Sequence, residues 1–298
     1  MAKPDLKQLS DHVYYLPGGV NAAIVTNSAG EAVLVDTGGD KEYGRNIRKA
    51  CEALNVTPVA ILNTHSHADH YGGNDYLLRQ FELKVYAPAF EASILQSPYL
   101  EPVYLFSGAK PLPELMNKWL LAKPSKVDEL LEPGMLELHG ITLDILDTPG
   151  HAHQHVSILT DGVLIAADAL FGASVLTKYP LPFGQDIGNQ MKSAESLREI
   201  EAQVALPGHG DPTEAISELV QENSSVFNRA AEQVVAACDG ASTEEVLRRV
   251  CESLDITLSD LPRFYLNHCV VSAYLSYLVD EGRIEVRLED SRVTWHPV

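Results

Sequence analysis

His65-Ser66-His67-Ala68-Asp69-His70 places three imidazoles and a carboxylate within six residues. Such groups are costly to bury without a partner, and neutral histidine with carboxylate suits a borderline divalent metal. The two-residue spacing lets His65 and His67 converge on one ion from an extended segment. Asp69 and His70 follow the turn and can address a second ion. One tetrahedral ion cannot use four ligands packed this tightly and stay open to substrate. The bland alternative is a solvated polar loop, and the rest of the chain argues against it.

The cluster directly follows an apolar run, 59–62, that reads as a buried strand entered through Pro58. Upstream, strands are expected over 13–16, 22–25 and 32–35, the last stopping at Asp36-Thr37-Gly38-Gly39, with a helix over 41–54. Downstream, a helix over 73–81 and a strand over 84–87 complete the first half. Strand signals resume at 141–146, 156–159 and 163–167, with Asp161-Gly162 as a hairpin turn, then a helix over 190–200 and a strand over 204–206. Three of these strand ends release polar residues: Thr148-Pro149-Gly150-His151, Asp168, and His209 after Pro207-Gly208. Each alone is weak. Together they supply the missing ligands for two ions, with a carboxylate available to bridge. Two such halves predict an α/β chain whose sheet-on-sheet core is covered by helices.

Composition bounds the alternatives. The 298 residues are 45% hydrophobic and 21% charged, ordinary for a globular chain. No run of eighteen apolar residues exists, so no membrane span is expected, and the N-terminal residues lack a secretory pattern. Cys51, Cys238, Cys251 and Cys269 are scattered, which reads as reduced thiols in a cytoplasmic protein. With 22 basic and 41 acidic residues the formal net charge is −19, which repels nucleic-acid phosphates and demotes a nuclease reading. Seven of the eleven histidines lie in the segments 65–70, 151–155 and 209; His12, His139, His268 and His296 have no company and read as structural.

At these residues the sequence resembles the metallo-β-lactamase superfamily of hydrolases. Asp36-Thr37-Gly38 resembles the family's first motif, 65–70 its HxHxDH signature, His151 the histidine of its TPGH segment, Asp168 its bridging aspartate and His209 its last ligand. The resemblance covers residues 10 to about 215 and implies an αββα sandwich with the site on one edge between the sheets. It implies that His65, His67 and His151 hold a first metal, that Asp69, His70 and His209 hold a second, and that Asp168 bridges them. Asp36 would hold the ligand loops by hydrogen bonds. His155 matches a second histidine often present in the family and is expected to pack behind the site, with His153 peripheral. Zinc is the expected metal, with manganese or iron as alternatives. Two ions about 3.5–4 Å apart would generate a hydroxide nucleophile, with Asp69 as proton acceptor, again by resemblance.

The ligand set does not identify a substrate. Residues 170–180 lack the arginine of glyoxalase II-like enzymes, and Asp168 argues against β-lactamase activity. The leading expectation is a metal-dependent hydrolase of a small ester-, thioester- or lactone-like substrate. An endoribonuclease or phosphodiesterase of the same fold and a non-hydrolytic, iron-dependent persulfide dioxygenase are the alternatives. Lys178 and Tyr179 are the candidates for a polar or anionic substrate group.

Residues 1–213 are expected to form the catalytic domain. Within it, 89–133 carries six of the seventeen prolines and reads equally as a packed helical insertion or a lid. Residues 214–298 turn helical, with a capping box at Ser242-Thr243-Glu244-Glu245, and end in a hairpin, the outline of a winged helix. This tail holds 7 basic and 15 acidic residues, and the helix over 264–280 contains no lysine or arginine, so no nucleic-acid partner is expected. That helix offers more apolar and aromatic surface than one buried face requires. It is expected to pack on the catalytic domain or to form a homodimer.

Overall fold

The computed structural model describes residues 5–298. Seven strands form a first sheet in sequence order: β1 (Lys7–Gln8), β2 (Val13–Leu16), β3 (Ala22–Thr26), β4 (Glu31–Val35), β5 (Thr57–Leu62), β6 (Lys84–Ala87) and β7 (Glu129–Leu130). The first four are antiparallel neighbours, and β4 to β7 run parallel. The second sheet has β8 (Gly134–Leu138), β9 (Ile141–Asp147), β10 (Val156–Thr160) and β11 (Val163–Ala167) as an antiparallel meander, with β12 (Val204–Pro207) parallel to β11.

The period of two decides which side chain meets which layer. In β4, Val33 and Val35 point into the core between the sheets, where they join Ile145, Ile158 and Ile165. Ala32 and Leu34 point the other way, onto Ile47, Ala50 and Cys51 of α1 (Lys41–Leu54). Both faces are therefore buried, which explains the near-continuous apolar strand. Helix α1 starts where the Asp40 carboxylate accepts from the amides of Glu42 and Tyr43, and it ends at Asn55, whose φ of 55° is left-handed. Of the helix expected over 73–81 only α3 (Asn74–Leu77) forms, and a separate short helix, α2 (Ala68–Tyr71), precedes it. Gly73 lies between them, where a β-carbon would come within 2.3 Å of the Thr37 carbonyl oxygen, so the position admits no side chain.

The insertion holds α4 (Ala89–Gln96) and α5 (Leu100–Leu105). After β11 come α6 (Ala173–Lys178) and α7 (Ile187–Ser196), which starts three residues before the expected position because Asp186 caps it. The tail comprises α8 (Ile216–Ala237), α9 (Thr243–Ser253), α10 (Leu261–Asp280) and the hairpin β13 (Ile284–Glu289) with β14 (Arg292–Pro297). Its buried residues do not form a core of their own. Phe227, Val234, Val250, Val271 and Tyr274 cluster with Phe171, Leu176, Leu181 and Ile187, which follow Asp168. The N-terminal part of α10 meets the insertion instead: Tyr265, Leu266 and Cys269 pack on Leu105, Leu115 and Leu120. The apolar surplus of α10 thus has two partners within one chain.

Candidate metal centre

Strands β4, β5, β9, β11 and β12 all end at the same edge of the sandwich, and each releases site residues there. The two sheets are stitched together at this edge. The Val156 amide donates to the Thr64 carbonyl, and Asn21 Nδ2 donates to the carbonyls of Pro207 and Gly210.

The seven candidates expected from the sequence come together here. His65 Nε2 lies 3.0 Å and His151 Nε2 lies 2.8 Å from His67 Nδ1, so three ring nitrogens converge. Asp69, His70 and His209 form a second group, with His209 Nε2 3.5 Å from Asp69 Oδ2. Asp168 stands between them: its Oδ2 lies 3.1 Å from His151 Nε2 and 3.3 Å from His209 Nε2, and its Oδ1 lies 3.4 Å from His70 Nε2.

The far side of most rings is tied down. His70 Nδ1 is 2.8 Å from Asp36 Oδ2, and that carboxylate also accepts from the Thr64 hydroxyl and amide. Thr64 Oγ1 in turn lies 3.0 Å from His65 Nδ1. His151 Nδ1 donates to the Phe183 carbonyl and His209 Nδ1 to that of Gly19. A proton held on Nδ1 leaves Nε2 as the lone-pair donor, aimed at the centre of the cluster. Asp36 thus aligns two rings, His70 directly and His65 through Thr64. His155 Nε2 accepts from the Asp168 amide, while its Nδ1 is 2.9 Å from Thr148 Oγ1. It therefore orders the Asp168 backbone from behind, and His153 sits apart against Phe90.

The electrostatics fit cations. Burial and the neighbouring rings hold His65 well below the ordinary histidine range. Burial opposes charge on His209, but Asp168 and Asp69 carry it up to about 9. Burial likewise opposes charge on Asp168, yet His209, His70 and His151 hold its carboxyl well below the usual carboxylate range. Buried Asp168 Oδ1 and His70 Nε2 have no hydrogen-bond partner. Orphaned donors with imidazole and carboxylate chemistry, and no thiolate, suit divalent ions of the zinc type.

Two acidic residues of the insertion belong to these surroundings and were not singled out from sequence. Glu91 is buried; its Oε2 accepts from the Ser66 amide and hydroxyl, and its Oε1 from the Gln154 amide. It therefore clamps the loop of His65 and His67 to the loop of His151 and His155. Glu101 is buried nearby, with no hydrogen bond to its Oε2. Lys178 and Tyr179, expected to meet substrate, lie at the exposed end of α6, with Lys178 Nζ 4.9 Å from the Tyr179 ring centre.

The family model of the metallo-beta-lactamase superfamily matches residues 15–209, and the chain belongs to that superfamily. A hydroxyacylglutathione hydrolase of Xanthomonas campestris is 28% identical over 70% of this chain and 72% of that protein. An atrochrysone carboxyl ACP thioesterase of Passalora fulva is 20% identical over 98% of this chain and 83% of that protein. The crystal structure of a metallo-beta-lactamase family protein from Thermus thermophilus superposes with a TM-score of 0.74 at 21% identity. It covers 96% of this chain and 98% of that one, a likeness that speaks for the fold. The protein is an enzyme of the metallo-hydrolase class.

Proposed function

We propose that the chain hydrolyses a small acyl substrate, a thioester first and an ester or lactone next, with two divalent ions, zinc first. The observation that carries this reading is the convergence of His65, His67 and His151 on one side of Asp168 and of Asp69, His70 and His209 on the other. His65, His67 and His151 would hold one ion, Asp69, His70 and His209 the other, and Asp168 would contact both. Such a pair supplies an ionised water at neutral pH and a Lewis acid for a carbonyl oxygen.

The chain's own groups do the remaining work. Asp69 has the most exposed side chain among the ligand candidates, so its free oxygen can take the proton of an attacking water. His151 is held by Phe183, whose ring also flanks His67 and keeps bulk water from that side. The thioester preference rests on the thioesterase relative, which aligns along the tail as well as the core.

Residues 1–213 would form the catalytic unit and 214–298 a winged-helix-like unit that packs on it without binding nucleic acid. Lys178 and Tyr179 remain candidates for a polar substrate group. No helix among the described residues is long and apolar enough to cross a membrane, and the four free cysteines suit a cytoplasmic setting. The insertion takes up Tyr265, Leu266 and Cys269 of α10, which supports packing within one chain over the homodimer alternative. Metal analysis followed by thioesterase, esterase, lactonase and phosphodiesterase assays tests this reading. Two zinc ions per chain with thioester turnover are expected. One ion at most, turnover of RNA alone, or oxygen uptake with a persulfide would overturn it.

A further inference from the structure

We infer that Glu101 is the acceptor for the Nε2–H of His67, and so a positioning residue for the first cluster of ring nitrogens. The inference rests on the metal-centre reading above and starts from an exception among the histidines. His65, His70, His151 and His209 each turn Nε2 inward, with Nδ1 facing Thr64, Asp36, the Phe183 carbonyl and the Gly19 carbonyl. His67 is reversed. It turns Nδ1 toward His65 and His151, and its remote Nε2 is buried with no partner.

Chemistry makes that atom expensive. With the Nδ1 lone pair given to an ion, the neutral ring must carry its proton on Nε2. A buried N–H without an acceptor keeps the full penalty of its lost hydration. Ligating histidines ordinarily meet this cost by donating to a carboxylate or a carbonyl.

Glu101 is the complementary orphan. Its residue is 5% exposed and its Oε2 is buried with no partner. Burial raises its carboxyl above the usual carboxylate range, and His67 is the first neighbour that opposes the rise. Its charge also reaches Cys269 on α10, which burial and Glu101 push up to about 11. The Glu101 carboxyl is carried by the insertion, whose Glu91 accepts from the Ser66 amide next to His67. Its placement follows from α5, where Glu101 and Leu105 are one turn apart on the buried face, and Leu105 fixes that helix against Leu115, Leu120 and α10. No hydrogen bond joins Glu101 to His67 in this structure. The inferred link therefore requires a rotamer change of Glu101 or a bridging water.

The test is competitive zinc titration of the full-length wild type, Glu101→Gln and Glu101→Leu against a chelator of known affinity. Ring N–H proton spectra of the zinc-loaded forms accompany it. Glu101→Leu is expected to weaken one of the two sites about 10–100-fold, with Glu101→Gln partly rescuing it. A slowly exchanging imidazole N–H is expected in the wild type and absent in Glu101→Leu. Circular dichroism of the metal-free variants should match the wild type, because an unpaired carboxylate contributes no bond to the fold. Unchanged zinc affinity with the slowly exchanging N–H retained in Glu101→Leu overturns this inference alone, and Glu101→Ala is read in its place if the leucine variant folds poorly. A wild-type chain that takes up no zinc overturns the metal-centre reading with it.

Discussion

Gly208 and Asp168 stand so close that a β-carbon at position 208 would lie 1.9 Å from Asp168 Oδ1. The contact is fixed from both sides, because the Gly208 amide donates to the Ala167 carbonyl and the Gly208 carbonyl accepts from the Asn21 amide. A methyl group there can be accommodated only by moving the carboxylate between the two clusters. Gly208→Ala is therefore expected to lose metal affinity about tenfold or more while keeping its circular dichroism spectrum. Wild-type zinc content after dialysis would show that Asp168 does not need this site.

Removing the charge of Asp168 should act more severely than displacing it. Asp168→Asn keeps the shape but would take a negative charge from between the two proposed cations. Hydrolysis of the best panel substrate is expected to fall by several orders of magnitude, with the fold retained. A variant turning over at the wild-type rate would remove Asp168 from the chemistry.

Glu91 tests the tie between the two ligand loops. Glu91→Ala leaves the Ser66 amide and hydroxyl and the Gln154 amide without their acceptor in a buried place. The expected cost is about 2–4 kcal/mol, seen as a melting temperature lower by several degrees, together with weaker zinc binding. Equal stability and equal zinc affinity would show that the loops hold themselves.

Much of this centre was legible in the sequence because its ligand candidates leave strand ends and sit in short polar segments. His65 to His70, His151, Asp168 and His209 interrupt apolar runs, and a strand can release them only at one edge. Glu91 and Glu101 carried no such signal. An isolated acidic residue on a short helix reads as a solvated face, and only the tertiary fold buries Glu91 against the Ser66 and Gln154 loops and Glu101 on the buried face of α5. Strand β8 was missed because its signal is short: Leu136 and Leu138 pack on the core between the sheets, but Glu137 is the one polar residue that marks the alternation, and Met135 on the exposed face is apolar. The apolar surplus of α10 was visible, but the sequence could not say that the second partner is the 89–133 segment of the same chain.

His155 gives the metal-free protein an acid-sensitive share of its stability. Burial depresses its pKa to about 3, against about 6.5 for an exposed histidine, so below 6.5 the unfolded chain binds a proton that the folded chain refuses. Its contribution to stability is therefore lost as pH falls from about 6.5 toward 3, at up to about 1.4 kcal/mol per pH unit. His155→Gln can retain the acceptor for the Asp168 amide and a donor for Thr148 without titrating. Denaturant unfolding of the chelator-treated proteins between pH 7 and 4.5 should give a shallower pH slope for the variant. Identical slopes would mean that other groups set the acid limit.

The tail should prove inseparable from the core. Phe171, Leu176, Leu181 and Ile187 are buried against α8 and α10, and the insertion packs its Leu105, Leu115 and Leu120 beneath Tyr265 and Leu266. Ending the chain at residue 213 uncovers both surfaces at once, including the segment that follows Asp168. At about 25 cal/mol per Å² of apolar area, several newly exposed large side chains amount to a loss comparable with the whole stability of a domain. The 1–213 fragment is therefore expected to aggregate or to unfold at low denaturant, and to lose zinc binding with its fold. Sedimentation and chemical denaturation of the fragment beside the full chain decide the matter. A soluble, cooperative, zinc-binding 1–213 monomer would show that the tail merely rests on an independent sandwich.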